Sequence, residues 1–127
     1  MSSRILLVED QEDVAQLIDI VLKNEGYTVA IARDGAQGLM LARDWKPDLI
    51  MMDIMLPGVD GGKLISRLRK EPETRDLPIV AMSASRTLRD RTPELEADAL
   101  LAKPFDVDAL LVQVQFLLSR ERADSES

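Results

Sequence analysis

The chain has 127 residues, 23 acidic against 16 basic side chains for a formal charge of -7, and neither Cys nor His. That length suits one domain with a core large enough to need no covalent staples, and within this chain the missing Cys and His exclude disulfides, thiolate or imidazole metal sites and any His general base. The acidic balance argues against direct nucleic-acid binding, while the start Met1-Ser2-Ser3-Arg4 shows no signal-peptide pattern and no apolar run approaches ~18 residues; a cytoplasmic protein with no membrane partner is the expectation.

Arg4-Ile5-Leu6-Leu7-Val8 is a short apolar run that ends in Glu9-Asp10, and it predicts the first strand. The period then becomes helical, with Val14, Leu17, Ile18, Val21 and Leu22 on one face and Gly26 as the stop. Thr28-Val29-Ala30-Ile31-Ala32 predicts a less apolar second strand, suited to a sheet edge. Asp34 and Gln37 form a capping box for a second helix with Leu39, Met40 and Ala42 inward.

Pro47-Asp48-Leu49-Ile50-Met51-Met52-Asp53 then supplies an unbroken apolar run closed by a carboxylate. Continuous runs of this kind mark strands covered on both faces. Gly61 or Gly62 opens a third helix with Leu64, Ile65 and Leu68 buried, closing before Pro72. Residues 77–82 predict the fourth strand, with Pro78 tolerated at its start. Residues 85–98 are crowded with charge and broken by Pro93, so the helix expected there should be short, broken or irregular. Ala99-Leu100-Leu101-Ala102 predicts the fifth strand. After Lys103-Pro104, Asp106 caps a last helix carrying Ala109, Leu110, Val112, Val114, Phe116 and Leu117, an apolar cylinder that fits a core or a homodimer interface. Residues 1–120 form the expected domain and 121–127 a flexible polar tail.

Alternation of strand and helix predicts an α/β fold, a five-stranded parallel sheet doubly wound by right-handed crossovers. Such a sheet gathers the carboxyl ends of its strands on one edge, where ligands bind. Those ends carry Glu9, Asp10, Asp53, Ser83 and Lys103. Converging carboxylates repel, and a divalent cation with a taste for hard oxygen, Mg2+ or Mn2+, resolves the conflict. A carboxylate attacking a phosphoryl group there would give an acyl phosphate, with Lys103 and Ser83 stabilising the phosphoryl oxygens. No Gly-x-x-x-x-Gly-Lys-Ser/Thr loop, no Gly-x-Gly-x-x-Gly after the first strand and no second acid in Asp53-Ile54-Met55 support rival phosphate chemistries.

The segments Ile5-Leu6-Leu7-Val8-Glu9-Asp10, Pro47-Asp48-Leu49-Ile50 with Asp53, Leu56-Pro57-Gly58-Val59-Asp60-Gly61, Pro78-Ile79-Val80-Ala81-Met82-Ser83-Ala84 and Lys103-Pro104-Phe105 together resemble the receiver domain of two-component response regulators, in family order over nearly the whole chain. The resemblance implies a CheY-like, flavodoxin-like sheet of order 2-1-3-4-5 and a phosphoacceptor switch on Asp53 that alters an interaction surface in signalling. It implies Asp10 as direct Mg2+ ligand beside Asp53 and the Met55 backbone carbonyl, Glu9 acting through water, Lys103 as the site lysine and Ser83 at the switch position. It also implies a phosphohistidine donor on a sensor histidine kinase or phosphotransfer protein, docking near Gln11, Val14, Ala15 and Ile18, and a downstream effector or output domain. By this reading the chain is no enzyme beyond its own phosphorylation and dephosphorylation. Two departures stand out: Leu100 occupies a switch position where members carry an aromatic ring, and the interval from Ser83 to Lys103 is shorter and contains Pro93. A phosphorylation-independent scaffold, or the receiver part of a larger DNA-binding or enzymatic regulator, are the alternatives.

Overall fold

A computed structural model describes residues 2–84 and 96–126, with side chains through Arg120. Five strands, β1 (Arg4–Val8), β2 (Thr28–Ala32), β3 (Leu49–Asp53), β4 (Ile79–Ser83) and β5 (Ala99–Ala102), pair in parallel in the order β2-β1-β3-β4-β5. The described helices are α1 (Glu12–Asn24), α2 (Gly35–Asp44), α3 (Gly61–Lys70) and α4 (Val107–Glu126). The expectation of an irregular helix over residues 85–98 falls mainly on 85–95, outside the described residues. Helix α4 continues to Glu126, through most of the stretch expected as a tail.

Alternation along the central strands explains their continuous apolar runs. Leu6 and Val8, Ile50 and Met52, and Ile79 and Ala81 face α2 and α3. Ile5 and Leu7, Leu49 and Met51, and Val80 and Met82 face α1 and α4. Both faces are covered, so no position can be polar until the strand ends.

Local chemistry sets the element boundaries. Gly26, at φ 90, follows the α1 C-cap, and its N–H and that of Tyr27 close on the carbonyls of Lys23 and Leu22. The Asp34 side chain accepts from the Gln37 N–H at 2.8 Å, while Gln37 reaches back to the Arg33 N–H at 2.9 Å. Asp60 caps α3 through the Gly62 and Lys63 N–H groups. Strand β4 starts at Ile79, two residues later than the sequence suggests: the Leu77 N–H closes a turn on the Thr74 carbonyl, Pro78 has no N–H to offer, and the Asp98 carboxylate takes the Ile79 N–H at 2.8 Å. Arg69 organises the return into β5. It donates to the carbonyls of Glu96, Arg75 and Leu77 and to Asp98, which also meets Arg120 of α4 at 3.1 Å. Both helical layers are thereby tied together at the edge opposite the strand ends.

Three helix faces differ from the pattern reading. Ala15, Ile18 and Leu22 form the buried line of α1, leaving Leu17 55% exposed. In α2 Met40 points outward. In α4 Leu110, Val114, Leu117 and Leu118 are the core, and Ala109, Val112 and Phe116 lie on the surface. In each case an apolar set wider than the stripe one sheet face can cover leaves part of itself in water.

Gly61, the first residue of α3, packs closest against the loop that follows β3: a Cβ there would stand 2.5 Å from the Ile54 Cα. Gly61→Ala should destabilise the domain by about 1–3 kcal/mol in urea unfolding. A change below about 0.5 kcal/mol would show that this approach imposes no constraint.

Candidate functional site

The order of the sheet brings the ends of β1 and β3 side by side, with β4 and β5 next to them. Glu9 directly follows β1, its N–H held by the Ala32 carbonyl. Asp53 is the last residue of β3 and Ser83 the last of β4. Lys103 follows β5, its N–H bonded to the Ser83 carbonyl at 2.8 Å, and its peptide bond to Pro104 is cis.

These positions converge as the sequence suggests. The Lys103 Nζ donates to Glu9 Oε1 at 2.5 Å and to Asp53 Oδ2 at 2.8 Å. The Met55 N–H donates to the other oxygen, Asp53 Oδ1, at 2.8 Å. Carboxylate oxygens of Glu9, Asp10 and Asp53 all lie within 4.8 Å of one another. Ser83 is fully buried beside them, and Leu100 packs half-buried against the α2 and α3 core.

What the sequence does not disclose is how deep Glu9 lies. It has no exposed surface, and its Oε2 has no hydrogen-bond partner among the described residues. Burial pushes its carboxyl from the usual 4.5 to about 7, against the pull of Lys103 and with the Asp53 charge adding to the rise. Asp53 goes the other way: burial alone would raise it, but hydrogen bonds from Lys103, Glu9 and the Met55 N–H outweigh that and hold it below the ordinary range. Lys103 is held above its usual value, because its bonds to Asp53 and Glu9 outweigh burial. A proton on Glu9 thus serves to relieve an excess of negative charge.

A dication suits the same place. One ammonium leaves three carboxylates over-charged in a site where Glu9 and Asp53 are buried, and an orphaned carboxylate oxygen is an unmet demand for a cation or a cation-bound water. The donor set is all oxygen, as a hard cation requires. The residues therefore fit Mg2+.

Of the four residues expected near a docking donor, Gln11 is exposed and Val14 half-buried. Ala15 and Ile18 are buried under the sheet; the exposed apolar residues of α1 are Leu17 and Ile20.

The chain belongs to the response regulator receiver domain family, whose model matches residues 5–115. It is 41% identical over 119 residues to the DNA-binding dual master transcriptional regulator RpaA of Synechocystis, covering 92% of this chain and 49% of that protein. The chain spans about half the length, or less, of the curated relatives it matches first. Among solved structures it is similar to the receiver domain of the Pseudomonas aeruginosa sensor histidine kinase PA1611, which has a magnesium ion coordinated in its active-site cleft, with TM-score 0.85, 30% identity and coverage of 94% and 99% of the two chains. The Francisella response regulator 1452 receiver domain gives the same TM-score, 0.85, with 30% identity and the same coverage. Among the described residues no helix is long and apolar enough to cross a membrane.

Glu9 generates a pH prediction with a definite sign. Its folded-state value lies above its unfolded one, so its contribution to stability is complete below 4.5 and is lost as pH rises through about 7. Asp53 acts oppositely: its contribution is fully present above its usual 3.8 and is lost as pH falls through its lowered value. Cation-free protein should therefore weaken in urea unfolding as pH climbs from 4.5 through about 7, and Glu9→Gln should flatten that slope. Added Mg2+ should restore stability above neutrality and release protons on binding between those limits. A wild-type slope unchanged by Glu9→Gln would contradict the assignment.

Proposed function

We propose that this receiver domain is a Mg2+-dependent phosphoacceptor switch that takes a phosphoryl group onto Asp53 from a phosphohistidine on a sensor kinase or phosphotransfer protein. The observation that carries the reading is Asp53 itself. It is an ionised carboxylate at a strand end, held by a lysine and a backbone N–H, with two further carboxylates within 4.8 Å.

Transfer needs one bond made and one broken. An Asp53 oxygen attacks phosphorus as the phosphorus–nitrogen bond of the donor opens, the electron pair leaves with the imidazole, and the imidazole takes up a proton; the product is an acyl phosphate. The lowered Asp53 value keeps the nucleophile charged. Lys103 is positioned to follow the negative charge from the carboxylate to the phosphoryl oxygens, and Ser83 stands at the end of the adjacent strand to meet one of them. Asp10, Asp53 and the Met55 carbonyl, with Glu9 through water, would hold Mg2+, which supplies the charge neutralisation that lets an anionic donor approach an anionic acceptor. Apart from its own phosphorylation and dephosphorylation this domain performs no catalysis with a diffusible product.

The phosphodonor would meet the strand-end edge together with the exposed Leu17 and Ile20 of α1. Because this chain matches only part of its relatives' length, the effector would be an output domain or a separate protein; the DNA-binding relative illustrates the first kind. Leu100 favours a second reading, a scaffold whose surface does not respond to phosphate, since this side chain has no ring or hydroxyl to register a change at Ser83.

A small phosphodonor with Mg2+ should add one phosphate, labile to hydroxylamine, and Asp53→Ala should abolish the gain in intact mass. Lys103→Ala should retain Mg2+ binding while slowing the gain at least about tenfold. Retention of the label in Asp53→Ala would refute the acceptor. An amide NMR spectrum unchanged outside the site on phosphorylation would favour the scaffold.

A further inference from the structure

Away from the strand ends the protein holds a cavity of about 250 Å³. It lies at the opposite edge of the sheet, beside the last turn of α2, where Lys46 and Pro47 lead into β3 and Leu77 leads into β4. Ala42, Pro47 and Leu77 give it apolar walls, and Arg43, Lys46 and Glu73 complete its lining. Apolar walls with a few charged groups are the usual form of a small-ligand site. A cavity of about 150 Å³ already holds a benzene ring, so this one has room for a side chain the size of leucine or phenylalanine.

Two of the three charged groups are available to a ligand. Arg43 is committed to Glu71, donating through Nε at 2.8 Å and through a second nitrogen to the other carboxylate oxygen. Lys46 and Glu73 are exposed, and neither side chain has a hydrogen bond or ion pair among the described residues. One cation from the α2–β3 turn and one anion from the α3–β4 loop thus line the same apolar cavity.

The backbone singles out Lys46 independently. Its φ of 54 makes it the one non-glycine residue with a positive φ among the described residues. It follows the α2 C-cap Trp45, a place where glycine commonly ends a helix because no Cβ opposes the left-handed turn. A lysine there carries strain that glycine would remove, and strain of this kind gathers at ligand sites. Joining α2 to β3 does not account for the side chain, since glycine would join them at least as well.

We propose that this cavity is a binding site for a free α-amino acid with an apolar side chain. That side chain lies against Ala42, Pro47 and Leu77, the ligand carboxylate meets the Lys46 ammonium, and the ligand ammonium meets the Glu73 carboxylate. A zwitterion matches both charges at once, whereas a simple fatty or aromatic acid satisfies Lys46 but brings its own charge toward Glu73. Bound there, the amino acid braces the segments entering β3 and β4, the neighbouring strands whose far ends carry Asp53 and Ser83. It is an input separate from the phosphoacceptor site.

Titration with L-leucine tests this, followed by amide NMR and by the fluorescence of Trp45, the one tryptophan of the chain and the neighbour of Lys46. Saturable shifts centred on residues 42–47 and 73–77, with a Kd of about 10 mM or tighter, are expected. N-acetyl-leucine, which lacks the ammonium, and leucinamide, which lacks the carboxylate, should each bind at least about tenfold more weakly. Lys46→Gly should weaken leucine by a similar factor without lowering the midpoint of urea unfolding. Glu73→Gln leaves the strained turn alone; it should weaken leucine and abolish the disadvantage of N-acetyl-leucine relative to it. Weaker or unsaturable binding, shifts centred elsewhere, equal binding of leucine and its two blocked forms, or leucine binding unmoved by either substitution overturns the proposal.

Discussion

The ion pairs of Lys103 are the constraint on which the site rests. Its ammonium comes from the residue after β5 and contacts carboxylates that end β1 and β3, so a single side chain spans the edge of the central sheet. Two buried carboxylates so near each other would separate or protonate without it. With it, one carboxylate stays ionised and the other carries the strain of burial, which is why Asp53 and Glu9 are displaced in opposite directions. Asp53 and Glu9 are thereby distinguished by environment, although their chemistry is the same.

Depth in the fold separates what sequence makes visible from what it hides. The strands are legible because burial on both faces leaves no room for alternation, and β1 and β3 stop at the acids that end their apolar runs. Asp53, Asp10, Ser83 and Lys103 are legible because parallel order sends every strand end to one edge. Helix faces are less so. Leu17, Met40, Val112 and Phe116 satisfy an apolar periodicity yet face water, since pattern alone does not say how much of a stripe the sheet can cover. Glu9 looks like its neighbour Asp10 in sequence, and only the packing of Ala32, Lys103 and Asp53 around it reveals a buried group. The Arg69 clasp is hidden altogether: it depends on three carbonyls and a carboxylate brought together by the tertiary fold.

The two helical layers carry different surfaces. On the α2 and α3 side, Lys63, Arg67 and Lys70 give α3 a solvated basic face over a core stripe of Leu64, Ile65 and Leu68. On the α1 and α4 side Leu17, Ile20, Val112 and Phe116 stand exposed among polar residues. A domain whose family works through partners has reason to leave such residues uncovered. Leu100 sits on the opposite side, packed in the α2 and α3 core, where it supports β5 without offering a polar group to the site.

The most direct measurement locates the phosphate itself. An acyl phosphate is reduced by borohydride to an alcohol, so an aspartyl phosphate becomes homoserine and can be assigned by tandem mass spectrometry after treatment with a small phosphodonor and Mg2+. Homoserine at position 53, dependent on both donor and cation, is the expected result. Homoserine at position 10, or phosphate recovered on a hydroxyl side chain with Asp53 unchanged, would contradict the assignment of Asp53 as acceptor.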